Sequence, residues 1–576
     1  MRLRKRKSNN RNLLIAVGIL AVIAIIVFTI RFFLPEPAEA LYLRAEKNSF
    51  EKTVKWVEES YIGFLEKQTP YLQEAHRRRV EITAQIDSGG EAFGSTDMGG
   101  LSGLIEKSKL VVDMRKQPRE GNSLTNVSLL LEKVPFLDAE LFTNRQKLYF
   151  SVPVLLPGKY FSAELDQMEE VYNKFSIPIQ PKRLVTGAVI ADALEFDAVA
   201  FKASAGKLGS AAAKYFTKDT VKYGQEKALS ISGETVRGRE VMVSLDEESA
   251  TSLLHELADL IVREDALLQY TYGNIARLSS LSEEAGLFRL FEYLDETGAA
   301  AMNEVERNLL ERLKVEKNPE VFRNALREAL SGYRVKDGLQ MTTVIDKDGN
   351  ILDRKLVLDL QGTKGYGGLA LDISSGCSNT VFEDARNRFA DIIVSGASRT
   401  MELHIRPDFE KAGENETSGS IAVEYAITPQ GGGRTGIRLE MELLSKPDEL
   451  TLKTNRNMDF RAKFFGDTGE GTLEGEWSNT AWENNKLNSR NSASEIRFRA
   501  DLPFLGIHSF SGVLNLAGED RFSIEPFTLP NVQQSSIMDL NAATQKDLDR
   551  IEMEIMASFG AFYLNNKQIF DAFLGQ

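Results

Sequence analysis

One cysteine in 576 residues, Cys377, excludes any intramolecular disulfide. Four histidines, His76, His255, His404 and His508, stand far apart without ligand spacing, which argues against imidazole-based metal or acid–base chemistry. Positive charge is also in short supply: 83 acidic residues against 70 basic ones leave a formal net charge of −13. Seven of the basic residues lie within positions 1–34, which hold no acid, so the remainder carries 63 basic against 83 acidic groups, a net of −20. A surface of that sign repels nucleic acid and anionic lipid headgroups, so no nucleic-acid partner is expected, and a ligand or partner should be apolar, cationic or neutral. There is no phosphate loop ending in Gly-Lys-Ser/Thr and no short-period repeat.

Long apolar runs are scarce too, and the clearest stands at the start. Arg2, Arg4, Lys5, Arg6, Lys7 and Arg11 precede an uncharged run from Leu13 to Ile30. Eighteen helical residues cover about 27 Å, and continuation to Leu34 gives about 33 Å. The expectation is a single-pass transmembrane helix over 13–34, with the basic tail 1–12 cytoplasmic and the bulk extracellular. A cleavable secretory peptide competes with this signal anchor, because Ala38-Glu39-Ala40 has the small-x-small form of a cleavage site. Export without disulfides points to a bacterial cell envelope.

Beyond a linker over 35–40, hydrophobic periodicity suggests a mixed α+β region over 41–331, a β-rich domain over 332–530 and a helical segment over 531–576. Asn48 and Glu51 predict a helix start by capping box, followed by the stripe Phe50, Val54, Val57, Tyr61, Phe64 and Leu65. Alternating segments at 80–86, 110–114, 127–131 and 148–152 predict antiparallel strands, with further strands near 228–231 and 240–243. Residues 161–215 read as helical and Ala-rich. Ser244 with Glu247 predicts a second capping box ahead of Leu253, Leu254, Leu257, Leu260 and Ile261, and another helix stops at Gly332. Met341 to Leu360 reads as a hairpin about Asp346–Asn350. Ile437 to Leu443 and Ile496 to Ala500 alternate strictly, so each has one wet and one apolar face. That apolar face must be covered by a second layer, by helices or by a ligand. The fold class expected is thus α+β: a transmembrane helix, then a large antiparallel ectodomain with packed helices and curved or half-barrel sheets.

Several short motifs have simpler explanations than chemistry. The turn at Asp346–Asn350 lacks the Gly and Glu of a calcium loop, with Ile351 and Val357 in their places. His255-Glu256 opens like a zinc-protease motif, but its second histidine position is Asp259. Asp87-Ser88-Gly89 and Asp467-Thr468-Gly469 match the core of an aspartic-protease motif, yet Asp-x-Gly is ordinary turn chemistry. Ser204 and Lys207 match Ser-x-x-Lys, and Arg434-Thr435-Gly436 approximates Lys-Thr-Gly, without the middle element of that set. Asp539 to Ile551 resembles the start of a helix-hairpin-helix unit, but Glu552 to Ala557 replaces its glycine hairpin, and Thr544 with Asp547 explains the match as a helix cap. No catalytic, metal or cofactor site is assigned.

The basic start, the apolar run, the segment Leu41–Phe50 and the hairpin Ile345–Lys355 together resemble an uncharacterised family of membrane-anchored exported proteins of Gram-positive, Bacillus-like bacteria. That resemblance implies location and not activity. The one-sided sheets are also similar in architecture to the half-barrels of lipoprotein carriers, where helices cap an apolar cavity. Three functions follow in order: a non-enzymatic binding or scaffold protein of the envelope, an amphiphile-binding protein with a cavity under the sheet of Tyr333 to Phe527, and an envelope hydrolase.

Overall fold

The computed structural model describes residues 38–88, 103, 105–174, 187–194, 197–286, 319–363, 367–381, 386–411, 416–448, 453–466, 469–484, 486–503, 507–530, 532–533 and 536–567. Alternating polar and apolar residues dominate this chain, and twenty strands join one sheet. The first are β1 (His76–Ser88), β2 (Ser108–Gln117), β3 (Asn122–Leu131), β4 (Val134–Thr143), β5 (Lys147–Ser151), β6 (Tyr160–Glu164), β7 (Val221–Ile231) and β8 (Glu234–Leu245). A meander follows: β9 (Tyr333–Ile345), β10 (Ile351–Gly362), β11 (Leu369–Cys377), β12 (Arg388–Gly396), β13 (Arg399–Lys411), β14 (Thr417–Pro429), β15 (Thr435–Asp448), β16 (Lys453–Gly466), β17 (Gly469–Asn484), β18 (Ser489–Leu502) and β19 (Ile507–Phe522). β20 (Ile537–Asp539) is last. Five helices matter here: α1 (Ala38–Gln73), α2 (Ala198–Ala213), α3 (Glu247–Arg263), α4 (Pro319–Ser331) and α5 (Gln545–Asn565).

In space the strands run from β7 through β8 and β9 to β19, then β1 to β6, and finally β20. All neighbours are antiparallel except β6 and β20. The joints that make one sheet from distant chain segments are β8 with β9 and β19 with β1, where Val80 faces Gly518 and Ile82 faces Leu516. Among the described residues nothing pairs β7 with β20, so the ribbon is open where a barrel would be closed.

The register aligns one apolar face across nearly the whole ribbon. One row runs Leu403, Tyr425, Ile437, Phe464 across β13–β16, and its neighbour runs Ile405, Val423, Leu439, Ala462, Leu473, Ala500 across β13–β18. The other face carries cross-strand charge: the Arg461 guanidinium donates to Glu474 at 2.9 Å, and Arg434 bridges Glu402 and Glu424. A period of two explains both faces at once, since a one-residue slip would exchange them.

Helices cover the apolar face at its two ends. Over β7–β12 the main core joins α1, α2, α3 and α4 to the sheet, with Leu208, Leu257, Val241, Val262 and Leu267 fully buried. Beyond β5, a smaller cluster packs Leu548, Ile551 and Ile555 of α5 on Phe150, Phe161 and Ala163.

The fold class expected, α+β behind an N-terminal transmembrane helix, is corrected to this single, almost wholly antiparallel twenty-stranded sheet. No described helix is long and apolar enough to cross a membrane. Even α1, at 36 residues, carries Arg44, Glu46, Lys47 and Glu51 in sequence. The expected span over 13–34 lies outside the described residues. The signal anchor, the transmembrane helix and the single-pass localisation with a cytoplasmic amino terminus are accordingly not carried forward.

Helix starts also moved. α1 is already helical at Ala38, the first described residue, ten positions before Asn48, and Ala38, Tyr42, Leu43 and Ala45 belong to the core. Ala38-Glu39-Ala40 is thereby its buried first turn. α3 is capped by Asp246, whose carboxylate accepts from the Ser249 amide at 2.7 Å, while Ser244 remains in β8 paired to Gln340. The segment expected to be helical from Phe161 begins instead as β6, paired on both sides.

Candidate functional site

Between its two helical ends the apolar face spans ten strands, β13–β19 and β1–β3, on which, among the described residues, none of the five helices packs broadly. Nine spacings of about 4.8 Å between ten strands make a floor about 43 Å long. On β16 its side chains are nevertheless less exposed than those behind them, whereas on β2 Val111 of the other face is buried and Val112 half-buried. On β16, Lys453, Asn455, Asn457, Asp459 and Arg461 are exposed, while Met458 and Phe460 are half-buried and Ala462 is buried. No described helix accounts for that difference, and the half-buried apolar face is the candidate groove, while the open hollows over β13–β18 on the other face are lined by charged side chains such as Glu442, Asp459, Glu476 and Arg497. Close packing within its floor is visible at Gly475, which faces Phe460 on one side and Phe498 on the other. A Cβ there would stand 2.7 Å from Phe460 Cζ and 2.2 Å from the Arg497 carbonyl oxygen, so only glycine lets the ring lie flat on the strand.

α1 forms one rim. At its first turns Glu46 meets Arg354 of β10, and Lys52 Nζ donates to Asn350 Oδ1 at 2.9 Å in the β9–β10 turn. At its last turn the Tyr71 hydroxyl donates to Asp520 Oδ2 of β19 at 2.6 Å. The 25 residues from Glu46 to Tyr71 span about 38 Å of helix, and the nine strand spacings from β10 to β19 span about 43 Å. The helix therefore lies along the strand ends, parallel to the groove.

Near the end of α1 the floor becomes polar. Successive rows read Arg490, Asp520, Arg78, Met114 and then Phe522, His76, Lys116, Ser123. Arg78 Nε lies 2.9 Å from Asp520 Oδ1. Burial, reinforced by the Asp520 carboxylate that accepts its proton, pushes the Tyr71 phenol above its ordinary range. Burial also lowers the His76 imidazole and the Lys116 ammonium, with Lys116 and Arg78 as repulsive neighbours.

The motifs singled out in the sequence fall elsewhere. Asp346 Oδ1 accepts from the amides of Asp348 and Asn350 at 2.9 and 2.7 Å, closing the turn on which α1 docks. His255 contacts the Tyr333 carbonyl at 2.9 Å, and Glu256 accepts from Lys214. Ser204 and Lys207 both bond Glu264 rather than each other, and Lys207 holds that carboxyl below its usual range. Asp87 ends β1, whereas Gly89 and Asp467 lie outside the described residues. Cys377 is buried against Arg388 and the Ile351 carbonyl, and burial raises its thiol. Thr544 and Asp547 make the reciprocal cap of α5. Among the described residues no three His, Cys, Asp or Glu side chains are grouped to hold a metal ion.

The rim cluster was missed by motif reading, although alternation marks it. Arg78 continues the stripe of Val80 and Ile82, and Lys116 continues that of Leu110, Val112 and Met114. A cation in phase with an apolar stripe is the available signal.

Comparison of the sequence with family models and with curated proteins gives no match. Among solved structures the chain is similar to a bacterial polysaccharide outer membrane secretin, at 6% identity over 79% of this chain and 99% of that one, with a TM-score of 0.24. It is also similar to Wzi of Escherichia coli, a carbohydrate-binding β-barrel involved in capsule assembly, at 9% identity over 91% and 99% of the two chains, with a TM-score of 0.22. OccK2 of Pseudomonas aeruginosa gives 8% identity, 78% and 98% coverage and a TM-score of 0.18. Superpositions this loose carry no argument about fold or function.

Proposed function

We propose that the protein is a non-enzymatic, envelope-associated binding protein whose ligand is an amphiphile, with its acyl part on the apolar face of β13–β19 and β1–β3. One observation carries this reading: the face that forms the helix-packed core at both ends continues between them for ten strands on which, among the described residues, no helix packs broadly. An apolar surface of that extent needs an occupant. Each methylene removed from water contributes about 0.8 kcal/mol, so ten of them supply about 8 kcal/mol against the cost of association. A floor of about 43 Å also exceeds the roughly 30 Å hydrocarbon thickness of a bilayer. The charges of the opposite face neutralise one another across strands, as Arg461 and Glu474 do, which suits a surface turned to water.

Titration of the full-length protein with a fluorescent fatty acid tests the reading. Saturable binding is expected, abolished by Val127→Lys within the groove and unchanged by Gln85→Lys on the opposite face. Absence of binding, or equal binding by a folded Val127→Lys protein, contradicts it, as does a second copy of the chain found covering the face.

A further inference from the structure

The groove is not uniform along its strands, and the change is confined to one rim. Across β1, β2 and β3 the inner rows are Ile82, Leu110, Leu129 and then Val80, Val112, Val127, whereas the two rows nearest the end of α1 bring in Arg78, His76 and Lys116. Polarity thus rises from floor to rim over two residues of strand, about 7 Å.

The charges at that rim do not cancel. Arg78 pairs with Asp520. Arg490 donates to Glu483 at 3.1 Å and to the Lys67 carbonyl at 3.2 Å. Lys116 has no hydrogen bond or ion pair among the described residues, although it is more than half buried. His76, lowered by burial from 6.5, adds no charge at neutral pH. Three cations therefore face two carboxylates, leaving a positive charge in a chain of net −13. A half-buried ammonium beside a guanidinium is electrostatically costly unless an anion joins them.

We propose that Lys116, with Arg78 and Arg490, seats the anionic headgroup, carboxylate or phosphate, of an amphiphile whose chain runs inward over Val80, Val112 and Val127. This assignment rests on the reading of the groove as an acyl-chain site. It gives the bound ligand a direction: head at the rim beside Tyr71, tail toward the floor. An anion held there pairs with the Lys116 ammonium and completes the charge balance that the protein alone leaves open.

The experiment compares three probes of one chain length on the full-length protein: oleate, oleoyl lysophosphatidate and the neutral oleyl alcohol. Both anions are expected to bind at least about tenfold more tightly than the alcohol. Lys116→Gln should remove most of that preference while leaving alcohol binding unchanged, and Lys116→Arg should restore it. Arg490→Gln serves the same purpose if Lys116→Gln does not fold. Equal binding of all three probes by the wild-type protein overturns the headgroup site while leaving the groove intact, as does an undiminished anion preference in the folded Gln variant. Failure of all three probes to bind overturns the groove reading itself.

Discussion

Glu46 of α1 and Arg354 of β10 form an ion pair inside the core, with side chains only 1% and 6% exposed. With Tyr71 and Asp520 at the other end, it fixes α1 along the strand ends and so builds one wall of the groove. Removing one member leaves an unpaired buried charge. Glu46→Ala should therefore cost about 3–5 kcal/mol, read as a lowered urea midpoint of the full-length protein. Glu46→Leu combined with Arg354→Met should recover most of that loss, because the pair is a matter of placement more than of net attraction. A double variant no better than the single one contradicts the pairing.

Leu257 and Leu514 separate the covered sheet from the open one. Leu257 is fully buried beneath the helices, so Leu257→Ala should cost about 2–5 kcal/mol. Leu514 stands on the groove floor between Ile496 and Ala84, and among the described residues no helix packs broadly on its strand, so Leu514→Ala should cost under about 1 kcal/mol. Equal losses in denaturant titrations would mean that the groove is filled by protein.

His76 makes stability depend on pH in a stated direction. Its folded pKa lies below the ordinary 6.5, through burial first and the neighbouring Lys116 and Arg78. Above 6.5 the ring is neutral in both states and costs nothing. As pH falls from there toward the lowered folded value, the unfolded chain takes up a proton that the folded one resists, so stability declines over that window. The hydrogen bond to the Glu74 carbonyl, and after it Asp520, oppose the shift without reversing it. His76→Gln should flatten the dependence of the urea midpoint on pH across that window, and an unchanged slope contradicts the assignment.

Local signals in the sequence located most of these elements. The turn at Asp346–Asn350 is where Asp and Gly place it, between β9 and β10, because the bonds that close it are four residues apart or fewer. The cap of α5 by Thr544 and Asp547 is local in the same way. What the pattern could not show is which strands meet. β19 pairs with β1 from the opposite end of the chain, and no local preference distinguishes that partner from another strand with the same alternation. The helix α1 was legible only in part, since Ala38–Ala45, upstream of Asn48, carry no local cap pattern and pack on the core. The rim cations sat outside the stripes as first delimited, at positions where a strand boundary two residues too short hides them.

The direct test of the groove is to locate the chain of a bound amphiphile. A fatty acid bearing a photoreactive group along its tail, bound to the full-length protein and activated, should label peptides through Met458, Phe460, Ile496, Leu514 or Ile82, and a saturating unlabelled fatty acid should prevent it. Labelling confined to the opposite face, at residues such as Arg461, Glu474 or Arg497, or labelling that competitor does not diminish, would contradict the account.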